Sequence, residues 1–196
     1  MQTLNPSKLL AVFTLSTGLL LSTQAAQAAN YQIDSQGMHA AVQFKIKHLG
    51  YSWLNGRFDN FKGNFEYDAN KPNASSVEVE IDTTSLNSNH AERDKHLRSA
   101  DFLNASKYPK AKFVSTSISE SGDGIAVKGK LTLNGVTKPL TIEAEKIGEG
   151  KDPWGGYRAG FTGTTSFKLA DYGITYDLGP ASTEVFMTLD IEGVRQ

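Results

Sequence analysis

The sequence has no cysteine among its 196 residues. That excludes disulfides, thiolate metal sites, cysteine nucleophiles and a lipid-modified cysteine anchor. It also lacks an excess of charge. Lys+Arg number 20 against 21 Asp+Glu, for a formal charge of −1 and a pI near 6.4. Nucleic-acid binding rests mainly on basic charge, so this balance argues against that partner. No G-x-S-x-G elbow is present, and no Ser, His and Asp can be placed together from sequence. Asp171-Tyr172-Gly173 matches a kinase magnesium motif only by letters, because the glycine-rich loop and its lysine are missing. What is present is an ordinary globular mixture, 39% apolar with 18 Gly, too apolar and too weakly charged for a disordered protein.

Residues 1–28 read as a cleavable signal peptide. Lys8 is the only charge, Leu9 to Leu21 is a mostly apolar run, and Ala26-Gln27-Ala28 fits a signal-peptidase site. A membrane span needs ~20 apolar residues, and this run is shorter and carries Thr14, Ser16 and Thr17. No second hydrophobic span follows. The expectation is an exported protein, cleaved after Ala28, with a single domain over 29–196. Without disulfides its stability must come from the core, and a sequence of this length buries enough surface for that.

Most later segments alternate with period two, as strands with one dry face do. His39–His48 sets Ala40, Val42, Phe44 and Ile46 against Gln43, Lys45 and Lys47. Asn64–Tyr67, Val77–Asp82, Ala111–Ile118, Ile125–Leu133, Leu140–Ala144, Tyr157–Leu169 and Val185–Ile191 follow suit. Asn134-Gly135 favours a tight type I′ hairpin turn. Pro139 belongs near a strand start, edge or bulge. The pattern predicts an all-β domain, a sandwich or barrel of about eight or nine strands. One segment departs from it. Asn89 as N-cap and Glu92 three positions later form a capping box, and good helix formers continue to Ser99, predicting a short helix near 90–99.

Candidate chemistry is sparse. His48 shares parity with Phe44 and Ile46, which places it at a cavity mouth or as a core-capping histidine. His90, Arg93, Asp94 and Leu97 share one helix face. His90 and Asp94 lack a third ligand at a recognisable spacing, so no metal site is assigned. Arg93 and Arg98 suit an anionic head group, or clamp the helix through Asp94 and Asp101. An eight-stranded closed sheet either fills its interior or holds one ligand, and alternation does not distinguish these.

Four segments, HAAVQFKIKHLGYSW, NHAERDKHLRSADFLNASKYPKAKF, GKLTLNGVTKPLTIEA and DPWGGYRAGF, resemble in this order the YceI family. The resemblance runs from about Tyr31 to Val194. The leader, the spacing of His90 and His96, and Asp152-Pro153-Trp154-Gly155-Gly156 resemble the Gram-negative subgroup. One departure is Lys168 before Asp171-Tyr172-Gly173, where the family often has an Arg before Asp-Phe-Gly. The resemblance implies a periplasmic, lipocalin-like antiparallel β-barrel of about eight strands with an elongated apolar cavity. It implies a bound long-chain amphiphile such as a polyprenyl lipid, an isoprenoid quinone or a fatty acyl amide. No other cofactor, no metal and no catalytic residue is implied. A membrane b-type cytochrome is implied as a partner, and an exposed patch at the mouth could support a homodimer.

On that reading the lipid tail lies against Val42, Phe44, Ile46, Phe65, Val79, Ile81, Leu131, Ile142, Phe161, Met187 and Leu189. The head group lies near His48, His90, Arg93, His96, Arg98 and Arg158. The register predicts that Phe161→Asp abolishes loading or folding and that Thr162→Asp is mild. Two alternatives stand beside carriage. One is an enzyme acting on the lipid with His48 or His90 as acid–base. The other is a filled barrel that docks to a membrane partner through the charged helix.

Overall fold

Alternating apolar residues organise the protein into strands, and the strands close on themselves. The computed structural model describes residues 28–196, except 38, 122 and 123. The expected signal peptide therefore lies outside the described residues, apart from Ala28. The strands are β1 (Ala29–Ile33), β2 (Ala41–His48), β3 (Ser52–Phe58), β4 (Phe61–Tyr67), β5 (Ser76–Asp82) and β6 (Leu86–Asn87). The helix α1 (Ala91–Leu97) follows, and then β7 (Lys110–Ser121), β8 (Gly124–Leu133), β9 (Val136–Lys151), β10 (Tyr157–Lys168) and β11 (Glu184–Arg195). Among the described residues no helix is long and apolar enough to cross a membrane.

Neighbours in the sheet run β1-β4-β5-β7-β8-β9-β10-β11, and β11 returns to pair with β1. β2 also pairs with β11, β3 with β2, and β6 with β3. Thus β1–β2, β3–β4 and β5–β6 act as three long kinked strands. The molecule is a closed antiparallel barrel of eight long strands.

The expected strand count holds in this sense. The alternation pattern missed β1, β3 and the two-residue β6, which are parts of the three long kinked strands. Asn134 (φ 49°) and Gly135 (φ 76°) form the expected turn between β8 and β9. Asn134 Nδ2 donates to the Tyr172 carbonyl at 3.1 Å, tying that turn to the 3-10 turn Leu169–Tyr172. Pro139 sits in β9 where the strand pairs with β8 alone, so its missing N–H costs no bond to β10.

The register places two distinct ends. The helix end carries the β2–β3 and β8–β9 turns, α1 and the 173–183 loop. The opposite end carries the 152–156 turn and the carboxyl terminus. At that opposite end Tyr31 stacks on Phe65 at 4.9 Å, and Phe161 meets Phe65 edge-on at 5.6 Å. Gly193 is required there, because a Cβ on it would lie 2.5 Å from the Phe65 ring.

The helix is shorter than predicted and begins one residue later. His90, not Asn89, is the N-cap, and its Nδ1 accepts the Arg93 amide at 3.2 Å. Asn89 instead takes a left-handed conformation (φ 62°), which turns the backbone into the helix. A cluster below this turn anchors α1 to β6. Asp94 is buried. Its Oδ1 accepts the Ser88 amide at 2.8 Å and also the Ser88 hydroxyl. Arg93 donates Nε to Ser88 Oγ at 2.8 Å and Nη2 to the Ser88 carbonyl at 2.5 Å. Arg98 Nη1 donates to the Leu86 carbonyl at 3.0 Å.

Candidate functional site

The inward strand faces do not meet at the barrel axis. They enclose two apolar chambers placed end to end. The first, about 160 Å³, lies toward the helix end. The second, about 150 Å³, lies toward the opposite end. Ile81, Phe113, Ile142 and Leu189 line both and form a waist between them. A void of about 150 Å³ lined by aliphatic side chains takes a six-carbon ring, so the two in series suit a longer molecule.

All eleven residues assigned to the tail line this space. Phe44, Ile46, Leu131 and Met187 line the first chamber. Val42, Phe65, Val79 and Phe161 line the second, and Ile81, Ile142 and Leu189 form three sides of the waist. Alternation also carried the signal for Leu54 and Phe58 on β3, which share parity and line the first chamber. Leu97, Phe102 and Leu103 from the α1 segment, and Ile174 and Leu178 from the 173–183 loop, complete that chamber. Leu97 shares the helix face read from spacing, while the other four come from irregular segments without period, so no sequence pattern marked them.

The six residues assigned to a polar rim do not converge. Arg158 lies at the opposite end from the others, on the outer face of β10. There it donates to Asp34 at 2.7 Å, Asp152 at 2.9 Å and Glu192 at 2.5 Å. Three carboxylates hold its guanidinium outside the barrel, which corrects its assignment to a lipid head group. Arg93 and Arg98 bind the β6 segment as described, so they hold the helix rather than face a ligand. His90 caps α1. His96 Nε2 lies 3.0 Å from Asp101 Oδ2, with its ring edge-on to Phe102 and Tyr176. His48 ends β2 and is exposed, contrary to the dry-side orientation its parity suggested. The strand ends there at a tight turn, and alternation no longer dictates direction. None of these six lines either chamber.

Asp34, His39 and Glu192 place ligand-type atoms within 4.8 Å of one another. The Arg158 guanidinium stands among these groups and supplies the cation itself. Hydrogen bonds from His39, then Arg158, hold the Asp34 carboxyl down at about 2, from an ordinary 3.8. The three carboxylates in turn push the Arg158 guanidinium up. A carboxyl depressed by folding stabilises the fold above its unfolded pKa and loses that contribution as pH falls through its folded pKa. Asp34→Asn is therefore expected to cost about 1 kcal/mol at pH 5, with solvent screening included. Urea melts should show this cost fading from about pH 4 and gone by about pH 1. A cost at pH 2 equal to that at pH 5 would contradict the assignment.

The outward control requires correction too. Thr162 Oγ1 donates to Asp190 Oδ1 at 2.9 Å. Thr162→Asp would set two carboxylates against each other, and Thr164→Asp would do the same against its cross-strand neighbour Glu143, so Thr164→Lys at that exposed position is the outward control.

Proteins of known sequence and of known structure resemble this one. The YceI-like domain model matches residues 31–193. The chain belongs to the YceI family. Within the family it is similar to a UPF0312 protein of Shewanella sp. (strain MR-7), with 58% identity over 91% of this protein and 94% of that one. It is also similar to a UPF0312 protein of Pseudomonas aeruginosa (strain UCBPP-PA14), with 57% identity over 96% and 98%. The YceI barrel recurs in the Campylobacter jejuni YceI protein, with 26% identity, TM-score 0.68 and coverage of 77% and 90%. BcnA of Burkholderia cenocepacia shares the fold at 22% identity and TM-score 0.71, covering 82% and 98%. So does a polyisoprenoid-binding domain from Saccharophagus degradans, at 16% identity and TM-score 0.62, covering 86% and 99%.

Proposed function

We propose that this protein is a periplasmic carrier of a long-chain isoprenoid-type lipid, either a polyprenyl lipid or a quinone. The carrying observation is the pair of dry chambers in series through a shared waist. Each buried CH₂ of a tail gains ~0.8 kcal/mol, so a tail threading both chambers binds by burial without any charged anchor. Fixed polar contacts are scarce along the lining, and none of the expected rim side chains lines it. The cavity therefore selects for tail length and shape more than for head group. A polyisoprenoid-binding neighbour with the same fold supports the ligand class. The signal-like residues 1–28 support the compartment.

Binding rather than turnover fits the histidines. His90 Nδ1 is used as a helix cap, and His48 and His90 are both absent from the chamber walls. Native mass spectrometry of protein purified from the periplasm without detergent, followed by extraction, tests the proposal. The expected result is a discrete adduct that fragments as an isoprenoid. A mass without adduct, unchanged after incubation with polyprenyl lipids and quinones, would overturn it.

A further inference from the structure

Of the described residues with φ in the left-handed region, four are not glycine: Leu49, Asn89, Asn104 and Asn134. Three are asparagine, the side chain that tolerates this region best. Leu49 is the exception. It takes φ 52° at the tip of the β2–β3 hairpin, before Gly50 at φ 83°, with the Tyr51 amide bonded to the His48 carbonyl at 3.0 Å. A leucine there costs stability that asparagine or glycine would not, and it buries little in return, being 51% exposed. Strain of this kind at an exposed apolar side chain points to a use outside the fold.

The surroundings indicate the use. Tyr51 is 89% exposed and Trp53 is 44% exposed. Lys45 and Lys47 set their ammonium groups 4.9 and 5.8 Å from the Trp53 ring. Neither lysine has an ion-pair partner among the described residues. Two acids of the neighbouring loop are engaged locally. Asp177 accepts the Gly179 amide, and Glu184 accepts the Ser166 hydroxyl. An apolar tip, amphipathic aromatic rings behind it and free lysines beside them match the layers of a bilayer surface. These are acyl boundary, head group and phosphate in turn.

The same hairpin walls the first chamber. Ile46 and Leu54 face inward while Lys45, Lys47 and Trp53 face outward. We propose that the β2–β3 hairpin docks the barrel onto an anionic phospholipid bilayer. Leu49 and Tyr51 enter the head-group layer, and Lys45 and Lys47 meet lipid phosphate. Docking this way sets the wall of the first chamber against the membrane, which deepens the carrier reading and rests on it for its purpose. The opposite end does not serve. Trp154 is exposed there, but Asp34, Asp152 and Glu192 surround the neighbouring Arg158, and an anionic surface would meet acids.

The two tryptophans, one at each end, make the orientation readable. Phospholipid vesicles containing phosphatidylglycerol, or phosphatidylcholine alone, are mixed with the single-tryptophan variants Trp154→Phe and Trp53→Phe. Expected are flotation with the anionic vesicles and a blue shift of emission from Trp53 but not from Trp154. Leu49→Asn should weaken flotation about tenfold by removing inserted apolar area, while leaving the melting temperature equal or higher because asparagine accepts the left-handed turn. Lys45→Gln with Lys47→Gln should abolish the preference for phosphatidylglycerol. Three results would overturn the proposal: absence of flotation, a shift from Trp154 alone, or a dimer in sedimentation that Leu49→Asn dissociates. Vesicle binding is read without cargo, so failure here is distinct from failure to find a bound isoprenoid.

Discussion

Ile142→Trp is expected to leave a folded barrel that no longer holds a lipid spanning both chambers. Ile142 stands at the waist and lines both cavities. Its methyl already comes within 2.9 Å of where a Cβ on Gly163 would stand, so the backbones of β9 and β10 cannot absorb a larger residue by moving together. An indole must enter the open space instead. Overpacking a closed core costs about 1–3 kcal/mol, and a chamber beside the residue reduces that cost. The barrel should melt cooperatively near the parent temperature. The mass of the co-purified lipid should shift to a shorter tail or disappear. An unchanged long-tailed adduct would mean that the tail does not pass the waist.

Charge makes the companion test. Phe161→Asp puts a carboxyl group into the second chamber, where even the neutral acid, unpaired, costs about 2–7 kcal/mol and the ionised form costs more. It should abolish loading and lower stability, while the outward Thr164→Lys, opposite Glu143, changes neither. Equal effects from the two would refute the assigned faces.

Asp94→Ala is expected to lower stability by about 3 kcal/mol, because it strands several donors at once. The Ser88 amide and hydroxyl both lose their acceptor. Arg93, which donates to Ser88, keeps its charge beside a buried segment whose compensating carboxylate has gone. For a domain of this size, that loss corresponds to about 6–12 °C in melting temperature. Asp94→Asn should lose less, since an amide oxygen still accepts from Ser88. The effect should extend to the cavity. Leu97, one turn after Asp94 on α1, lines the first chamber, so a loosened helix should speed lipid exchange. A melting temperature within about 1 °C of the parent, by the same scaling, would show that the cluster carries little of the fold.

Particular residues show where sequence reasoning reached and where it stopped. Val42, Phe44 and Ile46 alternate with Gln43, Lys45 and Lys47, and period two assigns faces from sequence neighbours alone. That is why every assigned tail residue lines a chamber. Asn134-Gly135 was equally legible, because positive φ at two successive positions is a local demand. Leu54 and Phe58 carried the same signal, and Gly56 between them interrupted it. That glycine has a tertiary cause: a Cβ on it would lie 2.3 Å from the Phe44 ring across the strand pair.

The polar residues were not legible in this way. Arg158 and Asp34 lie 124 positions apart and meet only because β1 and β10 both flank β11. Nothing local to Arg158 distinguishes an arginine awaiting a lipid phosphate from one held by three carboxylates. Arg93 and Asp94 could be read as a helix pair, but their shared partner Ser88, five and six residues earlier, is brought under the helix by the left-handed turn at Asn89.

The sequence by itself determined the all-β class, the inward faces and the hairpin turn, together with the YceI resemblance. These rest on periodicity, on backbone preferences of single residues and on ordered blocks of residues. Only the tertiary structure decided that three strands kink, that eight long strands close, that the interior opens into two chambers with a waist, and which end each charge occupies. Those features depend on strand register and on contacts between residues far apart in the sequence, and side-chain pattern along one strand carries no information about either.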